Sequence, residues 1–295
     1  MTPAFPNARR QNFVHRHPVV VYFAIAFAFS WAIGALLIAD RSGAISVPRW
    51  LHYVSAFGPA VSALVVTAMV EGWAGLRDLW RRITRIGVGL RWWLVAVGSP
   101  LALGAAAVAI YALSSSALPD LALFGEVDYL GSIGVGAAVL LWIATYGFGE
   151  EIGWRGFAFH RMEAGGWVRA AVLIGVVWGL WHLPYLFYKD NFIALGVGGF
   201  VFFLISITMG SILLSWIYRG SGYSILMVAL WHGLFDFVSA SPIAQGAGNA
   251  VISAAVVVWV VVILRAAARR PEPQVARLMR DSSPVRKTAE VDFHG

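Results

Sequence analysis

The sequence predicts an all-α fold: a polytopic membrane bundle of about eight transmembrane helices with both termini cytoplasmic. Three observations carry that expectation. Of the 295 residues, 59% are hydrophobic and only 13% charged, against about 25% charged in soluble domains. Mean hydropathy is +0.74. Apolar runs recur at roughly the 20-residue length a helix needs to cross hydrocarbon, and the charges collect between them. The chain has no cysteine, which excludes disulfides, thiol catalysis, iron–sulfur clusters and Cys-type zinc sites. The formal net charge of +7 comes from arginines beside apolar spans. It is therefore read as topology and anionic lipid, with no nucleic acid partner.

Residues 1–17 are polar and basic (Arg9, Arg10, Arg16) and are expected to be a disordered tail. Pro18 to Ala39 is too long for a signal-peptide core and lacks a convincing cleavage site, so it reads as a retained anchor helix. A second span runs from about Leu51 to Val70. Residues 73–87 differ in kind. Trp73, Leu76, Trp80, Ile83 and Ile86 recur at helical spacing, with Arg77, Arg81, Arg82 and Arg85 on the other side. That pattern predicts a helix lying in the membrane surface, its arginines toward lipid phosphates.

Trp92 to Leu113 makes a third span, followed by a loop with Asp120, Glu126 and Asp128 but no Lys or Arg. The fourth span begins near Ile133 and continues as helix through Phe159 until Gly165-Gly166 breaks it. The remaining spans fall at about Val168 to Phe187, Phe192 to Tyr218, Tyr223 to Val238 and Asn249 to Leu264. The transmembrane domain thus covers 18–266, and 267–295 is expected to be a disordered, charged tail. Arginine-rich and arginine-poor loops alternate as eight spans require, which puts both termini in the cytoplasm.

Six ionisable residues stand out inside the spans: Glu150, Glu151, Arg155, His182, His232 and Asp236, all in spans four, five and seven. An ionisable side chain in hydrocarbon costs about 2.5–3.5 kcal/mol or more, so such a cluster marks function. Glu151 and Arg155 are i,i+4 with the acid first, the favourable order for a pair. Trp178 precedes His182 by four residues, so its indole is expected to pack on the imidazole. His232 and Asp236 share a face by the same spacing. Glu150 points about 100° away from Glu151 and is left without a local partner, which suits a general base or acid. At about 1.5 Å per residue, all three groups reach similar depth near mid-membrane.

Glu-Glu-x-x-x-Arg (Glu150, Glu151, Arg155), an aromatic-x-x-x-His (Trp178, His182) and His-x-x-x-Asp (His232, Asp236), in that order on separate apolar spans, resemble the CPBP family. This group comprises CAAX prenyl-endopeptidase-like membrane proteases and bacteriocin-processing (Abi) proteins. The likeness extends to Arg155-Gly156-Phe157 and Tyr218-Arg219-Gly220-Ser221-Gly222, and covers about 135–240. Trp178 stands where the family more often has Phe, and Asp236 where it has Asn or Asp. The resemblance implies a glutamate-type intramembrane protease of the cell membrane, acting on a membrane-associated peptide or protein. Glu150 and His182 would activate water, and His232 with Asp236 would stabilise the oxyanion. Glu151–Arg155 would brace the helix, and Trp178 and Trp154 would contact substrate. An Asp can help an oxyanion only if it is protonated or held by a partner. A cavity open toward the cytoplasm is expected to admit water.

No cofactor is expected. The alternative is zinc held by His182, His232, Glu150 and Asp236, although the zinc-protease His-Glu-x-x-His is absent. Outside hydrolysis, the same residues suit a catalytically silent immunity or scaffold protein. A proton-coupled transporter comes third, since no inverted repeat is evident. No residue pattern reads a cleavage sequence or sets an oligomeric state.

Overall fold

The computed structural model describes residues 13–269, and it is an all-α helix bundle. Most of the two expected tails lies outside the described residues. Within them, Phe13–Arg16 forms a helical turn.

Eight principal helices follow: α1 (Pro18–Arg41), α2 (Gly58–Ile83), α3 (Leu90–Ser115), α4 (Val135–Gly165), α5 (Trp167–Trp181), α6 (Asp190–Gly220), α7 (Ile225–Ala240) and α8 (Ala247–Ala268). Seven segments are long and apolar enough to cross a membrane, so the chain is a multi-pass membrane protein. The eighth, α7, has 16 residues, about 24 Å of helix. Its shortness follows from its position. Ile225, Met227, Val228, Ala229 and Trp231 are buried, so α7 runs inside the bundle and meets lipid little.

Glycine and proline set the bends. Pro59 sits at the start of α2, where the missing N–H removes no hydrogen bond, and Pro100 follows the π-helical turn Leu94–Gly98 inside α3. Helix α2 kinks at Gly72, whose φ of 60° is a left-handed conformation that glycine adopts at little cost. The segment after the kink matches the predicted surface helix, with Trp73 and Trp80 largely exposed. Its arginines, however, do not all face lipid. Arg82 Nη1 donates to the Gly156 carbonyl (2.6 Å) and the Tyr218 hydroxyl (2.7 Å), and Arg85 donates to the Gly222 carbonyl. Helix phase explains the split, because Arg82 lies beside the buried Leu79 face and is drawn inward.

The acidic loop after α3 contains an unforeseen two-stranded antiparallel hairpin, β1 (Glu126–Val127) and β2 (Gly131–Ser132). Tyr129 and Gly131 take positive φ in its turn. The hairpin is tied down by Lys189, which pairs with Asp128 at 2.5 Å, and by Tyr53, whose hydroxyl donates to the Asp128 carbonyl at 2.7 Å. Burial and neighbouring Asp128 push the Tyr129 hydroxyl up to about 12, so it stays neutral in this cap.

Around the site, α5 packs on α6, and α7 packs on the middle of α4. Two glycines permit the second contact. A Cβ on Gly147 would sit 2.5 Å from the Ala229 carbonyl oxygen, and one on Gly233 would sit 2.6 Å from the Ile143 Cα. Backbones can approach this closely only where side chains are absent. That closeness brings His232 of α7 onto the carboxylates of α4.

Candidate active site

The Glu150 motif sits in an irregular part of α4. Residues Ile143–Glu150 and Trp154–Phe159 form wide π-helical turns, separated by one ordinary turn at Glu151–Gly153. Such turns leave the usual i→i+4 ladder incomplete and are frequent at functional sites. They also aim two adjacent glutamates at different partners.

Glu150 is buried, and its Oε2 accepts two indole N–H groups, from Trp178 at 2.6 Å and from Trp154 at 3.2 Å. The sequence expectation that Glu150 has no local partner is thereby corrected. Trp154, one helical turn on, was expected to meet substrate and here meets the carboxylate. Trp178 does the same from α5. Both indoles stand behind Glu150 as neutral donors.

Glu151 has charged company. Its Oε1 accepts from Arg155 Nη1 (2.8 Å) and lies 2.8 Å from His232 Nδ1. Arg155 is wholly buried. Its Nε and Nη2 make no hydrogen bond among the described residues, and the guanidinium lies 4.9 Å over the Trp178 ring. A π-face is a fitting neighbour for the rest of a planar cation. The expected i,i+4 brace is present and extends to α7 through His232.

His232 continues the chain of charges: Nε2 lies 3.3 Å from Asp236 Oδ2, the shared-face contact the spacing predicts. Both ring nitrogens therefore face carboxylate acceptors, so each serves as a donor. Asp236 has the partner that an acid in this position needs.

His182 ends α5, and its Nδ1 lies 2.8 Å from the Trp178 carbonyl. A carbonyl only accepts, so Nδ1 carries the proton and the Nε2 lone pair is left available. The ring is enclosed by Trp181, Tyr185, Phe192 and Phe203 at centroid distances of 4.9–6.3 Å. Trp178 stands at 6.1 Å, farther than Trp181, Tyr185 and Phe203, and fixes the imidazole through its backbone carbonyl.

The cavity expected to open toward the cytoplasm is closed here: Glu150, His182 and His232 are 1%, 7% and 4% exposed. Asp236, with its side chain 25% exposed, is the site's outermost acid. Both His232 nitrogens face carboxylates, and no three His, Asp or Glu side chains among the described residues are grouped as metal ligands.

One buried histidine escaped the sequence reading. His52, at the edge of the second span, lies 2.7 Å by Nε2 from the Tyr146 hydroxyl and 2.9 Å by Nδ1 from the Tyr188 hydroxyl. Tyr146 is one turn before Glu150, and Tyr188 follows His182. His52 thus ties α4, one turn before Glu150, to the short helix Tyr185–Tyr188 that follows His182. The statement that spans one to three hold no ionisable group is corrected accordingly. The available signal was a histidine beside Tyr53 at the start of an apolar run.

Comparison with known proteins bears on the same stretch of the chain. Residues 132–238 match the family model described as type II CAAX prenyl endopeptidase Rce1-like. A CAAX prenyl protease 2 from Methanococcus maripaludis is 32% identical over 107 residues. The match spans 33% of this chain and 37% of that relative's length. Glu150, Glu151, Arg155, Trp178, His182, His232 and Asp236 all fall inside the matched segment. Residues 132–238, about a third of the chain, are thus similar to the CAAX prenyl endopeptidase-like membrane proteins.

Proposed function

We propose that the protein is an intramembrane endopeptidase of the cell membrane, hydrolysing a peptide bond in a membrane-associated protein or peptide. The observation that carries this is the position of Trp178. Its indole N–H holds Glu150, its carbonyl orients His182, its ring face lies under Arg155, and its edge meets His232 at 5.2 Å. One side chain joins residues from all three motifs, which favours a single reaction centre over three separate structural pairs.

In this reaction the nucleophile is a water held by Glu150 and His182 Nε2. As its oxygen bonds to the substrate carbonyl carbon, its proton passes to this pair. The carbonyl π electrons move to oxygen, and the resulting oxyanion requires N–H donors. His232 supplies one through Nε2 once Asp236, the exposed partner, turns away. Collapse re-forms the carbonyl and breaks the C–N bond, and the stored proton goes to the leaving amine. Glu151 and Arg155 keep α4 and His232 in register. Trp154 and Trp178 bear on substrate through the carboxylate they hold. No metal enters any step, so cleavage should persist in protein with negligible bound zinc.

The matched relative is named a CAAX prenyl protease, which supports a prenylated C-terminal tail as the first substrate to try. A leader peptide and a membrane-protein segment are the next candidates. Glu150→Ala and His182→Ala should each abolish cleavage of such a membrane peptide while the protein remains folded in detergent. If the stable native protein cleaves none of these, and Glu150→Gln has no phenotype in the host, the silent scaffold function replaces this proposal.

A further inference from the structure

The bend in α2 builds a second site, away from the buried carboxylates. At Gly72 the chain leaves the line of the span, and residues 73–83 turn off as a separate amphipathic segment. Leu64 on the spanning part faces Trp73, Leu76, Trp80 and Ile83 across a cavity of about 440 Å³, with Arg77 in its wall. Ligand sites commonly fall between about 300 and 1,000 Å³. Tryptophans flanking such a cavity fit the headgroup level of a bilayer, where one end of a ligand is apolar and the other wet.

The four arginines of this segment divide by direction. Arg82 and Arg85 are engaged with Gly156, Tyr218 and Gly222. Arg77 and Arg81 are exposed, one helical turn apart, and belong to none of the ion pairs among the described residues. The nearby acids do not neutralise them: Asp78 pairs with Arg82 at 2.9 Å, and Glu71 pairs with Arg161. Arg77 thus lines the apolar cavity as an exposed cation, and Arg81 adds a second one helical turn on.

We propose that this elbow binds one anionic phospholipid, with an acyl chain in the cavity and its phosphate on Arg77 and Arg81. A zwitterionic lipid would fill the cavity but bring no net charge to the arginines. A soluble phosphate would meet the arginines but leave the cavity empty. Only a molecule with both parts answers both features. The site stands whether or not the chain cleaves peptides.

The test uses the full-length protein in detergent, titrated with phosphatidylglycerol or phosphatidylcholine and read by native mass spectrometry. One phosphatidylglycerol should be retained per chain where phosphatidylcholine is not. The Arg77→Gln/Arg81→Gln double variant should weaken retention at least about tenfold, given the usual attraction of each basic residue to anionic lipid. Leu64→Trp, which fills the cavity and keeps the arginines, should weaken it as well. Both variants alter exposed side chains, and an unchanged melting temperature in phosphatidylcholine would verify their folding. Equal retention of the two lipids, or native-like retention by either folded variant, would overturn the proposal. So would displacement of the lipid by millimolar glycerol phosphate, since the ligand would then be the headgroup alone.

Discussion

Glu150 and Glu151 are adjacent, chemically identical and equally buried, yet they are held in opposite ways. Glu151 meets two cationic groups, Arg155 and His232, each at 2.8 Å. Glu150 meets two indoles, which donate hydrogen bonds without bringing charge. In a low-dielectric interior, paired opposite charges cancel one another's field and fix the helices that carry them. Neutral donors aim a carboxylate while leaving its charge available. The first arrangement suits a brace and the second a base. Under the proposed function, two like groups would acquire different tasks from their surroundings alone.

The contrast is most easily broken at Glu150. Glu150→Gln keeps an acceptor oxygen for both indoles, so folding should be intact while kcat falls by about 10²–10⁴. A folded Gln variant cleaving at the native rate would remove Glu150 from the reaction. Arg155→Met should act on the other half. It leaves Glu151 in place with His232 but without its arginine, and stability should drop by about 3–5 kcal/mol, seen as a lower melting temperature in detergent. Native-like melting would show that the pair is no brace.

Trp178→Phe sharpens the comparison because it keeps the ring under Arg155 and removes one N–H from Glu150. Losing a hydrogen bond to a charged group is worth about 1.5–3 kcal/mol. If the bond aims a base, that loss should appear in kcat with KM little changed; a change confined to KM would assign the indole to substrate binding. The smallest effect is expected from Asp236→Asn, which still offers an acceptor to His232 and can itself donate to an oxyanion. Activity should remain within about tenfold of native, the range of one ordinary hydrogen bond. A loss as deep as that of Glu150→Gln would make the charge of Asp236 essential.

Much of this was legible in the sequence because it is written at helical spacing. The spans, the surface segment after residue 72, the Glu151–Arg155 pair and the His232–Asp236 pair all follow from i,i+4 geometry and hydropathy. Trp154 beside Glu150 obeys the same spacing and was open to the same inference. Indole, though, reads as an apolar group, and its single donor is easily overlooked. The links from Glu151 to His232 and from His52 to Tyr146 join residues 81 and 94 positions apart. Contacts of that kind depend on which helices become neighbours. Here that is decided by where glycine lets backbones meet, and no local pattern encodes it. The turn of Arg82 toward Gly156 was hidden for a related reason, since helix phase marks an exposed face without saying which side the bundle will occupy.

The wide turns of α4 make the site sensitive to residue count as well as residue type. An ordinary α-helix advances about 100° per residue. Removing one residue between Ile143 and Gly149 would therefore rotate everything beyond it against the helices that hold it. Glu150 would turn from its indoles, and Glu151 would turn from His232, although both glutamates and those partners remained in the chain. Single-residue deletions and alanine insertions along 143–149 would then separate a need for these groups from a need for their phase, which point substitutions leave entangled.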